Sequence, residues 1–115
     1  MNMLLKSRRL DDVVVLDLSG RITLGEGTVT VRDNLQKLLD AGDRKFLVNL
    51  ADVDYIDSAG LGELVIAFTT VRNHQGQLKL LNLTKRVRDL LQITKLLTVF
   101  ESFDNEAEAI KSMKN

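Results

Sequence analysis

The chain has 115 residues, 44% apolar and 28% charged, the proportions of one ordinary globular domain. Sixteen basic and sixteen acidic side chains cancel, so no net field draws in nucleic acid or an anionic membrane. There is no cysteine, which excludes disulfides and thiolate metal sites and fits a reducing, cytoplasmic setting.

No apolar run approaches the ~18 residues that span a bilayer. The N-terminal residues lack a basic stretch followed by a long apolar core, so a secretory signal is not expected. Neither linker nor repeat breaks the pattern, and a single domain over 1–115 is expected.

In chain order, residues 3–10 mix apolar and basic side chains and predict an edge strand, with Lys6, Arg8 and Arg9 guarding it against pairing. Asp11-Asp12 turns the chain into a β-branched run in which Val14, Leu16 and Leu18 share one face, so the two runs form a hairpin. Ser19-Gly20 is expected to end that strand, with Arg21 to Leu24 as an extended link. Gly25 to Gly27 reads as a loop, and Thr28 or Thr30 as the cap of a helix buried along Val31, Leu35, Leu38 and Leu39. Gly42 stops that helix.

Residues 44–50 are almost wholly apolar, as in a central strand covered on both faces. After a loop, Leu61, Leu64, Val65, Phe68 and Val71 recur at helical spacing to about Asn73. Residues 78–83 predict a further strand, Thr84 caps a short helix with Val87, Leu90 and Leu91 inward, and residues 96–100 predict a last strand. Asp104 or Asn105 caps a final helix carrying Ala109, Ile110 and Met113. Strands alternating with about four helices give an α/β domain with a mostly parallel, mixed sheet and an antiparallel edge hairpin.

The chemistry concentrates at Asp57-Ser58-Ala59-Gly60-Leu61-Gly62, after a strand end, where such sheets gather functional groups. Ser58 lies at or next to a helix N-terminus, where backbone N–H groups favour negative charge. It reads either as a plain cap or as a reachable phosphoacceptor, and the two roles are compatible. Asp57 orients the loop or serves as a base, the loop role being the simpler. Gly60 and Gly62 each cost a helix on the order of 1 kcal/mol against alanine, which signals a close approach by another backbone, this chain's or a partner's. Asp52, Asp54 and Asp57 begin like a calcium loop, but Ile56 and the missing distal glutamate break the pattern, so no metal site is expected. His74 is the single histidine and has no partner for a triad or a zinc site.

The hexapeptide resembles the bacterial anti-sigma factor antagonists of the STAS domain family. The similarity extends to residues 15–22, 48–56 and 78–83 and to the helix at 87–93, and so to most of the chain. The resemblance implies a STAS fold and a non-enzymatic partner switch without a cofactor. The unphosphorylated antagonist binds an anti-sigma factor that is also a serine kinase using Mg-ATP. Phosphorylation, here at Ser58, ends the interaction, and a PP2C-type phosphatase restores it. The implied partner surface is Asp57, Ser58, Ala59, Gly60, Leu61 and Gly62, with Thr23 and Ile66 beside it, on a chain expected to be monomeric when free. Many of these antagonists carry an aspartate shortly after the first glycine turn. This chain has Arg21-Ile22-Thr23-Leu24 there and no carboxylate before Glu26, which bears on the efficiency of phosphorylation. The competing readings are a STAS scaffold or ligand sensor that is never phosphorylated, and a receiver-like domain with Asp57 as the acceptor.

Overall fold

A computed structural model describes residues 3–114. The elements are β1 (Leu4–Leu10), β2 (Val13–Ile22), α1 (Glu26–Asp40), β3 (Lys45–Ile56), α2 (Ser58–Asn73), β4 (Gln77–Leu81), α3 (Lys85–Ile93), β5 (Ser102–Phe103) and α4 (Glu106–Ser112). They build a five-stranded sheet in the order β1-β2-β3-β4-β5. β1 pairs antiparallel with β2, and the other neighbours are parallel. The expected mixed sheet, edge hairpin and four helices are all present.

Alternation along the central strands serves two cores. Val14, Leu16 and Leu18 of β2 and Phe46, Val48 and Leu50 of β3 face α1, α2 and α3 and form the main core. Val13, Val15 and Leu47 point the other way, onto Ala109 and Ile110 of α4 and Met113 at its end. Both faces of β2 and β3 are therefore covered, which is why these strands read as nearly unbroken apolar runs.

Several boundaries differ from the sequence expectation; β4, expected to reach residue 83, ends at Leu81. β2 does not stop at Ser19-Gly20. Register shifts against β3 fall between Asp17 and Ser19 and between Gly20 and Arg21, and Gly20 takes φ 90°, so the strand bends and continues to Ile22. β3 likewise runs on through Ile56, held by β2 where β4 has already ended.

Neither Thr28 nor Thr30 caps α1. The cap is Gly25, and Thr28 sits at the third helical position. Its Oγ1 accepts from the Gly25 amide at 3.2 Å and donates to the Gly25 carbonyl at 3.1 Å.

Residues 96–100 form a turn rather than the last strand. The Leu96 and Leu97 amides donate to the Leu91 carbonyl at 2.8 and 3.1 Å, and Val99 donates to Leu96 at 3.0 Å, so these donors are spent within the turn. Of the apolar side chains read as a strand, Phe100 is buried in the core and Leu96 and Leu97 pack against it, while Val99 is exposed. The strand comes later, as the two residues of β5.

The ends of α3 and α4 follow the sequence closely. Thr84 Oγ1 accepts from the Val87 amide at 3.2 Å, and Asn105 Oδ1 accepts from the Glu108 amide at 2.9 Å.

Candidate functional site

The turn from β3 into α2 is stitched to the end of β2. The Asp57 amide donates to the Ile22 carbonyl at 3.3 Å. Asp57 is the cap of α2: its Oδ1 accepts from the Gly60 amide at 2.7 Å, and its Oδ2 accepts from the Leu24 amide at 3.1 Å. These amides, Gly60 first and then Leu24, hold the Asp57 carboxyl below the usual carboxylate range. One carboxylate thus fixes both the start of the helix and the adjoining loop.

Ser58 is relieved of the capping role. It is the first residue of α2 and is exposed. Of the two readings of this hydroxyl, the cap belongs to its neighbour.

The two glycines separate cleanly. A Cβ on Gly60 would lie 2.1 Å from the Ile22 carbonyl oxygen, so the close backbone approach is this chain's own. A Cβ on Gly62 would meet nothing within 4 Å. The fold therefore accounts for Gly60 and not for Gly62.

The remaining residues divide by exposure. Leu61 is buried in the main core, and Gly60 is buried beneath Ile22, so neither presents a side chain to a partner. Ala59 and Gly62 are half-buried, and Ile66 is 53% exposed. Ser58, Gly62 and Ile66 are four residues apart and share one face of α2. Thr23 lies between Ile22 and Leu24, both bonded to Asp57, so it belongs to the same surface. One residue to the core side, Glu63 is buried and accepts from Arg32 Nη2 at 2.6 Å, tying α2 to α1.

Sequence reasoning missed the other wall of the site. Ser58 opens on a groove of about 730 Å³ between the start of α2 and α3, lined also by Tyr55, Lys85, Arg86, Leu90 and Ile93. Lys85 Nζ donates to Asp89 Oδ2 at 2.7 Å. Arg21 lies over the Tyr55 ring, 4.7 Å from its centroid. Large apolar side chains are exposed here: Leu24 beside Asp57, and Ile93 at 78% on the groove. The Thr84 cap signal places Lys85 and Arg86 on the first turn of a helix, but nothing local in sequence sets that turn beside Ser58.

Among the described residues, no group of three or more His, Asp or Glu is placed to hold a metal ion, and no helix is long and apolar enough to cross a membrane.

The STAS domain profile matches residues 5–109, nearly the whole chain. The chain belongs to the STAS domain family. The anti-sigma-B factor antagonist of Bacillus subtilis is 32% identical to this STAS domain over 88% of the chain and 91% of its own length. That of Listeria monocytogenes is 39% identical over 53% of this chain and 54% of its own. Among solved structures, Thermotoga maritima TM1081 superposes with a TM-score of 0.88 at 24% identity, over 96% of this chain and 95% of that one. SpoIIAA of Bacillus in its phosphorylated form superposes with a TM-score of 0.75 at 19% identity, over 96% and 100%. These superpositions establish a SpoIIAA-like fold. STAS domains of the antagonist kind regulate by binding and are not enzymes.

Proposed function

We propose that this STAS domain is an anti-sigma factor antagonist whose grip on its partner is released by phosphorylation of Ser58. The observation that carries this reading is the division of labour at the start of α2. Asp57 caps the helix through Oδ1 and holds the Leu24 amide through Oδ2, which leaves the adjacent Ser58 exposed and its hydroxyl free of the capping role. A hydroxyl in that position is reachable by a kinase. Its phosphate, carrying roughly −1.5 to −2 charges at pH 7, would stand in the middle of the contact face. The B. subtilis and L. monocytogenes relatives are anti-sigma-B factor antagonists, and SpoIIAA was solved in a phosphorylated form, which supports the same assignment.

The contact face runs along the exposed side of α2 through Gly62 and Ile66, with Thr23 and Leu24 at its border. The partner is an anti-sigma factor with serine kinase activity, and a PP2C-type phosphatase resets the switch. The catalytic base and Mg-ATP belong to the kinase. Asp57 positions the acceptor and does no chemistry itself.

The receiver-like alternative loses its footing in the fold. Doubly wound receivers have the strand order 2-1-3-4-5, whereas this sheet runs in chain order from an antiparallel β1. Both oxygens of Asp57 are already bonded to amides.

The test is incubation with serine kinases encoded in the same genome, mapping of the modified residue, and pull-down of variants. Ser58→Ala is expected to bind and resist release, and Ser58→Asp to lose binding. Full affinity in Ser58→Asp would refute the switch. Absence of phosphate on Ser58 in cells under every stress tried would favour the unphosphorylated scaffold.

A further inference from the structure

Phosphorylation of Ser58 places a dianion at the mouth of the α2–α3 groove, and the charges around that groove are not equally occupied. The titratable groups facing it are Tyr55, Asp57, Lys85, Arg86 and Asp89. Asp57 accepts from two backbone amides, and Asp89 accepts from Lys85. Arg86 has no ion pair among the described residues. It also lines the neighbouring recess formed with Gly20, Arg21, Asp54 and Tyr55, where Arg21 is engaged by the Tyr55 ring and Asp54 pairs with neither arginine. Both carboxylates on the groove are thus already committed, while a guanidinium lining the same groove as Ser58 is not. A guanidinium matches phosphate geometry with two parallel N–H donors, and Lys85 keeps further N–H donors beyond the one given to Asp89.

We propose that the phosphate on Ser58 turns into the α2–α3 groove and is clamped by Arg86, with Lys85 assisting. The inference rests on the reading of Ser58 as the phosphoacceptor. In the transfer, the Oγ–P bond forms while the bond from the γ-phosphorus to its bridging oxygen in the kinase's ATP breaks. ADP departs, and the hydroxyl proton passes to the kinase's base. The product phosphate then has a fixed counter-charge on this chain. The modified side chain is held against the fold in one place, and Arg86 is withdrawn from any contact with a partner. Phosphorylation changes the surface twice, by adding an anion and by occupying a cation.

The experiment installs phosphoserine at position 58 during translation, so that no kinase is needed, and follows the ³¹P resonance of the full chain through a pH titration. The second ionisation of the phosphate is expected to lie below the ~6 of free phosphoserine by about half a unit or more. It should return toward the free value in Arg86→Gln and partly in Lys85→Gln, while Arg88→Gln, on the same helix but not on the groove, leaves it unchanged. Arg86 is exposed, so its replacement should not disturb folding, and a thermal melt checks this. Superimposable titrations of the parent and Arg86→Gln overturn the clamp. The same phosphorylated sample in the anti-sigma factor pull-down tests the switch separately. Undiminished binding there would refute the switch whatever the titration shows, and lost binding with superimposable titrations would refute the clamp alone.

Discussion

At Gly60 and Gly62, two glycines of one helical turn meet opposite surroundings, and single methyl groups separate their roles. Gly60→Ala drives a Cβ into the Ile22 carbonyl, a backbone atom that cannot swing aside. It should destabilise the domain by about 3 kcal/mol, the upper end of overpacking costs, read as a lower urea midpoint. Gly62→Ala enters open space and should stabilise α2 by up to ~1 kcal/mol through helix propensity. A Gly62→Ala protein that is more stable and yet binds its partner less well would place the partner's surface against that position. Asp57 supplies the pH dependence at this scale. Its carboxyl is held below its ordinary value, so its stabilising effect is complete above the ordinary carboxylate range and disappears as pH falls through the lowered value. The unfolding midpoint of the parent should therefore fall on acidification more steeply than that of Asp57→Asn, and parallel curves would show that the ionised cap contributes nothing.

Among the elements, α3 forms one wall of the groove, and its first turn depends on Thr84. Thr84→Ala removes the bond to the Val87 amide and should cost about 1 kcal/mol, with faster amide exchange confined to the start of α3. The link between α1 and α2 is different in kind, because Glu63 is buried while its partner Arg32 is exposed. Removing Arg32 alone strands a buried carboxylate, whereas removing both charges does not. A double-mutant cycle with Arg32→Ala and Glu63→Gln should show measurable coupling in urea unfolding, and strictly additive effects would mean that solvent replaces the bond. Much of this level could be read from sequence. The stripe of α1, the caps at Thr84 and Asn105 and the stop at Gly42 are all local signals, and local signals survive without coordinates. The misreadings fall where non-local contacts decide. β2 and β3 run past their apparent ends because each pairs with the other, and residues 96–100 looked like a strand because they are apolar, although their amides close a turn.

For the molecule as a whole, the site is composite. The hexapeptide announced Ser58, but the groove facing it needs β3 and β4 side by side so that α3 comes to rest near the start of α2. Pairing of strands is a property of the sheet, which is why Tyr55, Arg86 and Ile93 went unremarked in sequence while Ser58 did not. With the charges balanced overall, the proposed switch at Ser58 has to work through local charge. The order of the sheet carries a further consequence. Each strand lies beside the one made just before it, so assembly can follow the chain as it emerges from the ribosome. Ile22, Leu24, Asp57 and Gly60, which fix the turn that carries Ser58, all precede Arg86 in the chain. On the proposed reading, Ser58 emerges from the ribosome 28 residues ahead of Arg86, so for an interval during translation the alcohol stands outside while the cation proposed to receive its ester does not.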